Sequence, residues 1–292
     1  MLRLAEESKV ILPASVRKIA SGILTADREL IRMWLHGRPA GTVRHYASDA
    51  SELLMLVGKP IAEVSVGDLQ RYYDSLANRR LAPSTIGRKF GAVKSLFSYG
   101  FRLGLIRYNP APLIRVPKGR DRLAERILTV YEVHRMIELE PDLDRQLMLR
   151  VVYASGLRIS EAAGLRRRDV APHGERGVIT VFGKGSKTRS IAISAATYDS
   201  IVQAKSTLPP DAKLFPFTAH TMWRIVRKAA RRAGLVEGVS PHWLRHSHAS
   251  HAADQGAPLH LIRQTLGHES IETTARYMHV RPDDSSALYL GV

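Results

Sequence analysis

The chain has 292 residues, 45% of them hydrophobic, with a formal net charge of +17 and no cysteine. That length fits two domains of ordinary size, and the missing thiols exclude disulfides, thiolate metal sites and a cysteine nucleophile. The first twenty residues are broken by Arg3, Glu6, Glu7 and Lys9, which excludes a signal peptide or membrane span there, so a soluble cytoplasmic protein is expected.

Residues 1–24 read as an N-terminal extension, and a first helix is expected around Arg28 to Leu35, ending before Arg38-Pro39. From Thr42, Val43, Tyr46, Ala50, Leu53, Leu54 and Val57 fall on one stripe of an amphipathic helix that Gly58 can stop. Ser65 with Asp68 three residues on caps a second such helix, carrying Leu69, Tyr72, Tyr73 and Leu76 inward. Ser84 can cap another, in which Ile86, Phe90, Val93 and Phe97 recur at helical spacing. Arg88, Lys89 and Lys94 fall on its other faces and are candidates to meet the phosphates of a polyanion. The alternative for each is a solvated charged face.

Between Asn109 and Arg126, three prolines, a glycine and a charge run without periodicity mark a linker, which places one helical domain at 25–117 and a second domain at 118–292. Thr129 and Glu132 form a capping box that opens a helix with Val133, Met136 and Ile137 on one side. Farther on, GVITVF and TRSIAIS flank Gly-Lys-Gly-Ser-Lys, the pattern of a β-hairpin with a basic tip. The fold class expected is therefore mainly α: an N-terminal helical bundle followed by a mixed α/β domain, mostly helical with a small antiparallel sheet.

Both halves are basic. Residues 1–117 hold 18 Lys and Arg against 9 Asp and Glu, and residues 118–292 hold 26 against 18. The cations are threaded through apolar periodic segments rather than gathered in a tail, which points to two folded domains gripping one polyanion, a nucleic acid.

Four segments of the second half stand out, each weak alone. In ASGLRISEAAGL, Gly156 can break one helix and Arg158 can begin the next, with Glu161 one turn along, although the pair also reads as a surface ion pair. In FGKGSKTR, Lys184 sits between two glycines but lacks the spacing of a nucleotide-binding loop. In SPHWLRHSHASH, His242 and Arg245 share one face of a helix opened by Ser240-Pro241. Its four histidines invite a metal reading, which the absence of H-E-x-x-H and of any further ligand set disfavours, so no metal is expected. In LIRQTLGHESIETTARYMHV, Leu266-Gly267 ends a helix, His268 follows, and Tyr277 sits on a last short helix starting near Ser270.

Together these segments resemble the tyrosine site-specific recombinases of the phage integrase family, and the Xer-like members in particular. Their motifs are matched by Gly156-Leu157-Arg158-Ile159-Ser160-Glu161, Lys184 in G-K-G, His242 and Arg245 in H-x-x-R, Leu266-Gly267-His268, and Tyr277 nine residues after that histidine. The resemblance implies that the first half is a SAM-like core-binding domain and the second the catalytic domain.

It also assigns roles. Tyr277 is the nucleophile, Arg158 and Arg245 bind the phosphate, His242 is the candidate base, Lys184 protonates the leaving 5′ oxygen, His268 hydrogen-bonds or braces the phosphate, and Glu161 supports the site from behind. The chemistry suits these residue types: paired guanidinium donors meet phosphate oxygens, whereas a phenol with a reference pKa of about 10 attacks only when its proton is taken or its anion favoured. Further implications are a 3′-phosphotyrosine intermediate, no cofactor, ATP or metal, and four protomers on two DNA sites, alike or shared with a second recombinase, passing through a Holliday junction. A short apolar stub in SSALYL would dock on a neighbour or fold back on its own domain. The competing readings are DNA relaxation of the type IB topoisomerase kind and a catalytically silent DNA-binding regulator.

Overall fold

The structure, a computed structural model, describes residues 25–116, 123–182, 188–268 and 271–275, together with Tyr277. The chain divides into two compact units, Met1–Arg120 and Asp121–Val292. No helix among the described residues is long and apolar enough to cross a membrane.

The described residues of the first unit form four α-helices: α1 (Thr25–Leu35), α2 (Ala40–Val57), α3 (Val66–Asn78) and α4 (Pro83–Arg102). Their ends follow local chemistry. Gly58 stops α2 in left-handed backbone at φ 69°, with its N–H on the Leu54 carbonyl. Ser65 and Asp68 cap each other's backbone at the start of α3, and α4 opens on a proline, whose missing N–H costs nothing in a first turn. The apolar stripes meet in one core around Trp34, Leu53, Leu69, Tyr72, Phe90 and Phe97. Each such side chain, fully buried, contributes about 1.5–3 kcal/mol of transfer free energy.

The second unit starts with α5 (Val130–Glu138), capped by Thr129 and Glu132, and α6 (Leu143–Ser155). A four-residue helix α7 (Ile159–Ala162) leads to a three-stranded antiparallel sheet in the order β1 (Val170–His173), β2 (Arg176–Phe182) and β3 (Thr188–Ile193). In register, Ile179 of β2 faces Val170 on one side and Ile191 on the other, and all three side chains are buried. The β2–β3 pair is the hairpin expected from sequence. β1 was not expected; it carries Pro172, which an edge strand tolerates.

Helices α8 (Ala195–Lys205), α9 (Ala219–Arg232), α10 (Pro241–Asp254), α11 (Leu259–Leu266) and α12 (Ile271–Ala275) follow among the described residues of the unit. Its core joins Val133, Met136, Met148, Val152, Phe215 and Val226 from the helices and loops to the inward face of the sheet. The fold is thus mainly helical with a small antiparallel sheet, as the sequence indicates. The N-terminal extension, the hairpin tip with Lys184 and the stub after Tyr277 lie outside the described residues.

Candidate active site

The site is built where three helices of the second unit end or begin. α6 stops at Gly156 in left-handed backbone, φ 60°. A Cβ there would stand 2.7 Å from the His248 ring and 2.9 Å from Leu266, so glycine is what lets the end of α6 lie against α10 and α11. Two residues on, Arg158 is the N-cap of α7 and its backbone N–H donates to Glu161 Oε2 at 2.8 Å. The glutamate that caps the helix also holds the arginine side chain, whose Nη1 donates to Oε1 at 3.0 Å.

α11 ends at Gly267, φ 62°, and an α-helix leaves its last carbonyls without partners inside the helix. Three arginines supply donors. Arg189 Nε donates to the Thr265 carbonyl at 2.9 Å, Arg245 Nη2 to the Leu266 carbonyl, and Arg158 Nη2 to the Gly267 carbonyl at 3.3 Å. The negative end of the helix dipole is what gathers these cations. Arg245, only 4% exposed, also donates from Nη1 to the Gly156 carbonyl at 2.6 Å, so it ties the ends of α6 and α11 together.

A guanidinium has five N–H donors, and Arg158 and Arg245 each spend two on these partners among the described residues, which leaves donors for an incoming anion. Burial and the neighbouring Arg158 charge bring the Arg245 guanidinium down to about 10, still cationic at neutral pH. Burial by itself would raise the Glu161 carboxyl, but the hydrogen bonds from Arg189 and from the Arg158 amide and side chain hold it below the ordinary carboxylate range.

His242 and His268 are both shifted toward the neutral form. Burial, then the charges of Arg245, Arg158 and Arg126, lowers His242 from the usual imidazole value. Burial, then Arg245 and Arg158, brings His268 down to about 4, and its Nδ1 lies 2.9 Å from Thr274 Oγ1. A neutral imidazole can accept a proton; an imidazolium cannot.

Tyr277 follows α12 in a turn, with its N–H on the Thr274 carbonyl at 3.1 Å. Its ring is 3% exposed and packs in a small apolar cluster with Leu123, Ala249, Ile262 and Leu266. Its hydroxyl lies 2.7 Å from Nδ1 of His246. The His242 ring is one helical turn earlier on α10, with its centroid 6.5 Å from that of His246.

Residues 126–283 match the phage integrase family. The chain is also 34% identical over 250 residues to the tyrosine recombinase XerC of Halalkalibacterium halodurans, an alignment covering 78% of this chain and 82% of that protein. The chain belongs to the phage integrase family, the tyrosine recombinases. It is 28% identical over 300 residues to the tyrosine recombinase XerD of Vibrio cholerae serotype O1, covering 92% of this chain and 97% of that one. Among solved structures, a lambda integrase fragment crystallised as a dimer bound to a COC′ core site has the same fold, with a TM-score of 0.73 at 17% identity, over 89% of this chain and 96% of that one.

In this recombinase Arg158, Glu161, Arg245, His268 and Tyr277 converge around the C-terminal end of α11, with His242 on the same helix as Arg245. Lys184 lies outside the described residues. Two further residues join the set. Arg189 grips Glu161 through Nη1 at 3.0 Å and Nη2 at 2.8 Å, and its signal in the sequence is an arginine inside a β-branched strand. His246 stands out in the sequence only as a possible metal ligand, although its place beside Arg245 in LRHSH is a pointer.

The recombinase has a second basic feature that the motif spacing does not flag. Helix α9 carries Arg224, Arg227, Lys228, Arg231 and Arg232 with no acidic residue. His220 stacks on Trp223, and Arg227 lies 4.8 Å over the Trp223 ring, so an aromatic shelf with a cation on it sits among exposed Arg224, Lys228 and Arg231.

In the first unit, the three cations expected to meet phosphates have partners inside the unit. Arg88 pairs with Asp49, Lys89 with Asp49 at 3.1 Å and with Glu52, and Lys94 Nζ donates to the Ile114 carbonyl at 2.8 Å. Lys89, 9% exposed, is turned inward, because Asp49 at 1% exposure needs a counter-ion.

Proposed function

We propose that this recombinase cuts duplex DNA at a specific site by attack of the Tyr277 hydroxyl on a backbone phosphate, which leaves a 3′-phosphotyrosine and a free 5′ hydroxyl. Arg158 and Arg245 take the non-bridging phosphate oxygens, and His268 adds a neutral hydrogen-bonding group beside them. Because donors fixed in advance avoid reorganisation during the reaction, losing either guanidinium costs on the order of a hundredfold or more in rate. Lys184 gives its proton to the departing 5′ oxygen, a role that rests on the family resemblance alone.

The observation that carries this reading is the gathering of Arg158 and Arg245 on consecutive carbonyls at the end of α11, the helix against which Tyr277 packs. The phosphotyrosine bond keeps the energy of the broken phosphodiester, so a second 5′ hydroxyl can reverse the step without ATP. The two guanidiniums supply the positive charge that a metal would otherwise provide. Exchange between two duplexes requires four such active sites, which makes a tetramer on two DNA sites, working through a Holliday junction, the functional assembly. The exposed cations of α9 and the basic first unit bind the DNA backbone.

The test is a duplex recovered from a random-sequence pool by repeated binding to the purified protein, then nicked beside the cleavage point so that the cut strand is lost. Wild-type protein should form a covalent adduct on a denaturing gel and Tyr277→Phe none. An adduct that persists in Tyr277→Phe overturns the assignment.

A further inference from the structure

Tyr277 cannot attack as a neutral phenol at a useful rate, so the group that receives its proton is part of the reaction. Two histidines of α10, His242 and His246, lie close by, and the structure separates their positions. His242 is in the electrostatic field of Arg245, Arg158 and Arg126, on the side where the phosphate would be held. His246 is the one on the nucleophile: its Nδ1 is 2.7 Å from the Tyr277 hydroxyl, inside the 2.6–3.2 Å range within which a proton can be handed over directly. The rings meet at 44° with centroids 5.8 Å apart, and the apolar packing of the Tyr277 ring restricts where its hydroxyl can go.

We infer that His246 takes the Tyr277 proton during cleavage, which leaves His242 to hydrogen-bond the phosphate. The inference rests on the reading of Tyr277 as nucleophile. The step balances as follows: the Tyr277 oxygen forms its bond to phosphorus, the phenolic proton moves to His246 Nδ1, and the P–O5′ electron pair leaves with the 5′ oxygen, which is protonated by Lys184. For Nδ1 to accept, the imidazole proton must be on Nε2, so the ring is neutral before the step and an imidazolium after it. On rejoining, the proton returns along the same hydrogen bond to the departing tyrosine. Because His246 follows Arg245 on one helix, the phosphate donor and the proton acceptor are held at a fixed separation.

The full-length protein and the nicked duplex described above provide the test, with single-turnover adduct formation as the readout. His246→Phe should slow cleavage by about a hundredfold or more while leaving affinity for the intact duplex within a few fold. His246→Asn, which can hydrogen-bond near the Nδ1 position but cannot take the proton, should be as slow. Replacing Tyr277 with a fluorinated tyrosine, whose phenol is more acidic, should recover at least tenfold in the His246→Phe background and far less in the wild-type background. Three results each overturn the inference: wild-type rate in His246→Asn, which would make His246 a positioning residue; faster cleavage in His246→Phe, which would make it a latch; or equal fluorotyrosine effects in both backgrounds. If the wild type forms no adduct, or Tyr277→Phe forms one, the underlying reading of Tyr277 fails instead.

Discussion

Arg189 holds Glu161 in a two-pronged pair, Nη1 to Oε1 at 3.0 Å and Nη2 to Oε2 at 2.8 Å, and that carboxylate in turn holds Arg158. The pair is nearly closed to solvent, with the Arg189 side chain 12% and Glu161 9% exposed. Arg189 comes from β3 and also donates to Thr265 at the end of α11, so one side chain ties the hairpin strand to the anchor of a phosphate-binding arginine.

Arg189→Lys should therefore impair cleavage without touching the phosphate. A lysine presents one ammonium and cannot span both carboxylate oxygens and the Thr265 carbonyl. A displacement of Arg158 by about 1 Å is worth on the order of a hundredfold in rate. Glu161→Gln should act in the same direction, and the double variant should cost less than the product of the two, because both act through Arg158. Rates of covalent adduct formation in the four proteins give the comparison; independent effects would separate Arg189 from Glu161.

Acid should weaken the fold through its half-buried histidines. Burial pushes His248 down to about 4, and its Nδ1 lies 2.9 Å from the Tyr153 carbonyl. His268 is likewise down at about 4, again chiefly through burial. In the unfolded chain an imidazole titrates near 6.5, so between that pH and about 4 the unfolded state binds more protons than the folded state. The stabilisation is complete above about 6.5 and is lost as the pH falls through about 4, and for His248 it amounts to at most about 3 kcal/mol. Urea unfolding at pH 7.5 and 5 should show the loss, and His248→Gln should lose less between the two. An unchanged difference in that variant would assign the acid sensitivity to another group.

What could be read in the sequence depended on how local the cause was. Gly58, the Ser65 and Asp68 box and the Thr129 and Glu132 box act within one turn of backbone, and each appears where the sequence places it. The helical stripe from Ile86 to Phe97 and the paired runs that became β2 and β3 are equally local. Arg158 and Tyr277 were legible only as family motifs, because 109 residues separate Arg158 from the Gly267 carbonyl it holds and 31 separate Tyr277 from His246. Lys89 shows the converse: its face of α4 looks solvated until Asp49 and Glu52 arrive from α2. Nothing in the spacing within either helix announces that pairing.

Gly156→Ala should be costly although it adds a single methyl. Left-handed backbone alone costs an L-residue about 1–2 kcal/mol. The new Cβ would also meet the His248 ring at 2.7 Å and Leu266 at 2.9 Å, and both belong to helices that build the site. Because the Gly156 carbonyl accepts from Arg245 at 2.6 Å, relief of the clash would move that guanidinium. The expected outcome is lower unfolding stability together with slower cleavage, and a stable variant with wild-type cleavage would show that α6 and α10 can separate without disturbing Arg245.

The two kinds of cation in this protein should behave differently when removed. Arg224, Lys228 and Arg231 are exposed on α9, on a helix without acidic residues, so each is available to a phosphate. Replacing one with Ala should leave unfolding stability unchanged and reduce the salt dependence of DNA binding, with the slope of log K against log salt becoming shallower by about 0.9 for each phosphate that is no longer neutralised. Lys89→Met should do the reverse. Its ammonium stands against Asp49 and Glu52, and its loss leaves Asp49, at 1% exposure, with Arg88 as its remaining cation. Breaking a buried pair outright costs about 3–5 kcal/mol, and with Arg88 still in place the loss should fall below that range. Denaturant unfolding and salt titrations of binding on the same four variants separate the cases. A reduced salt slope with full stability in Lys89→Met would mean that the lysine leaves its carboxylates to reach DNA.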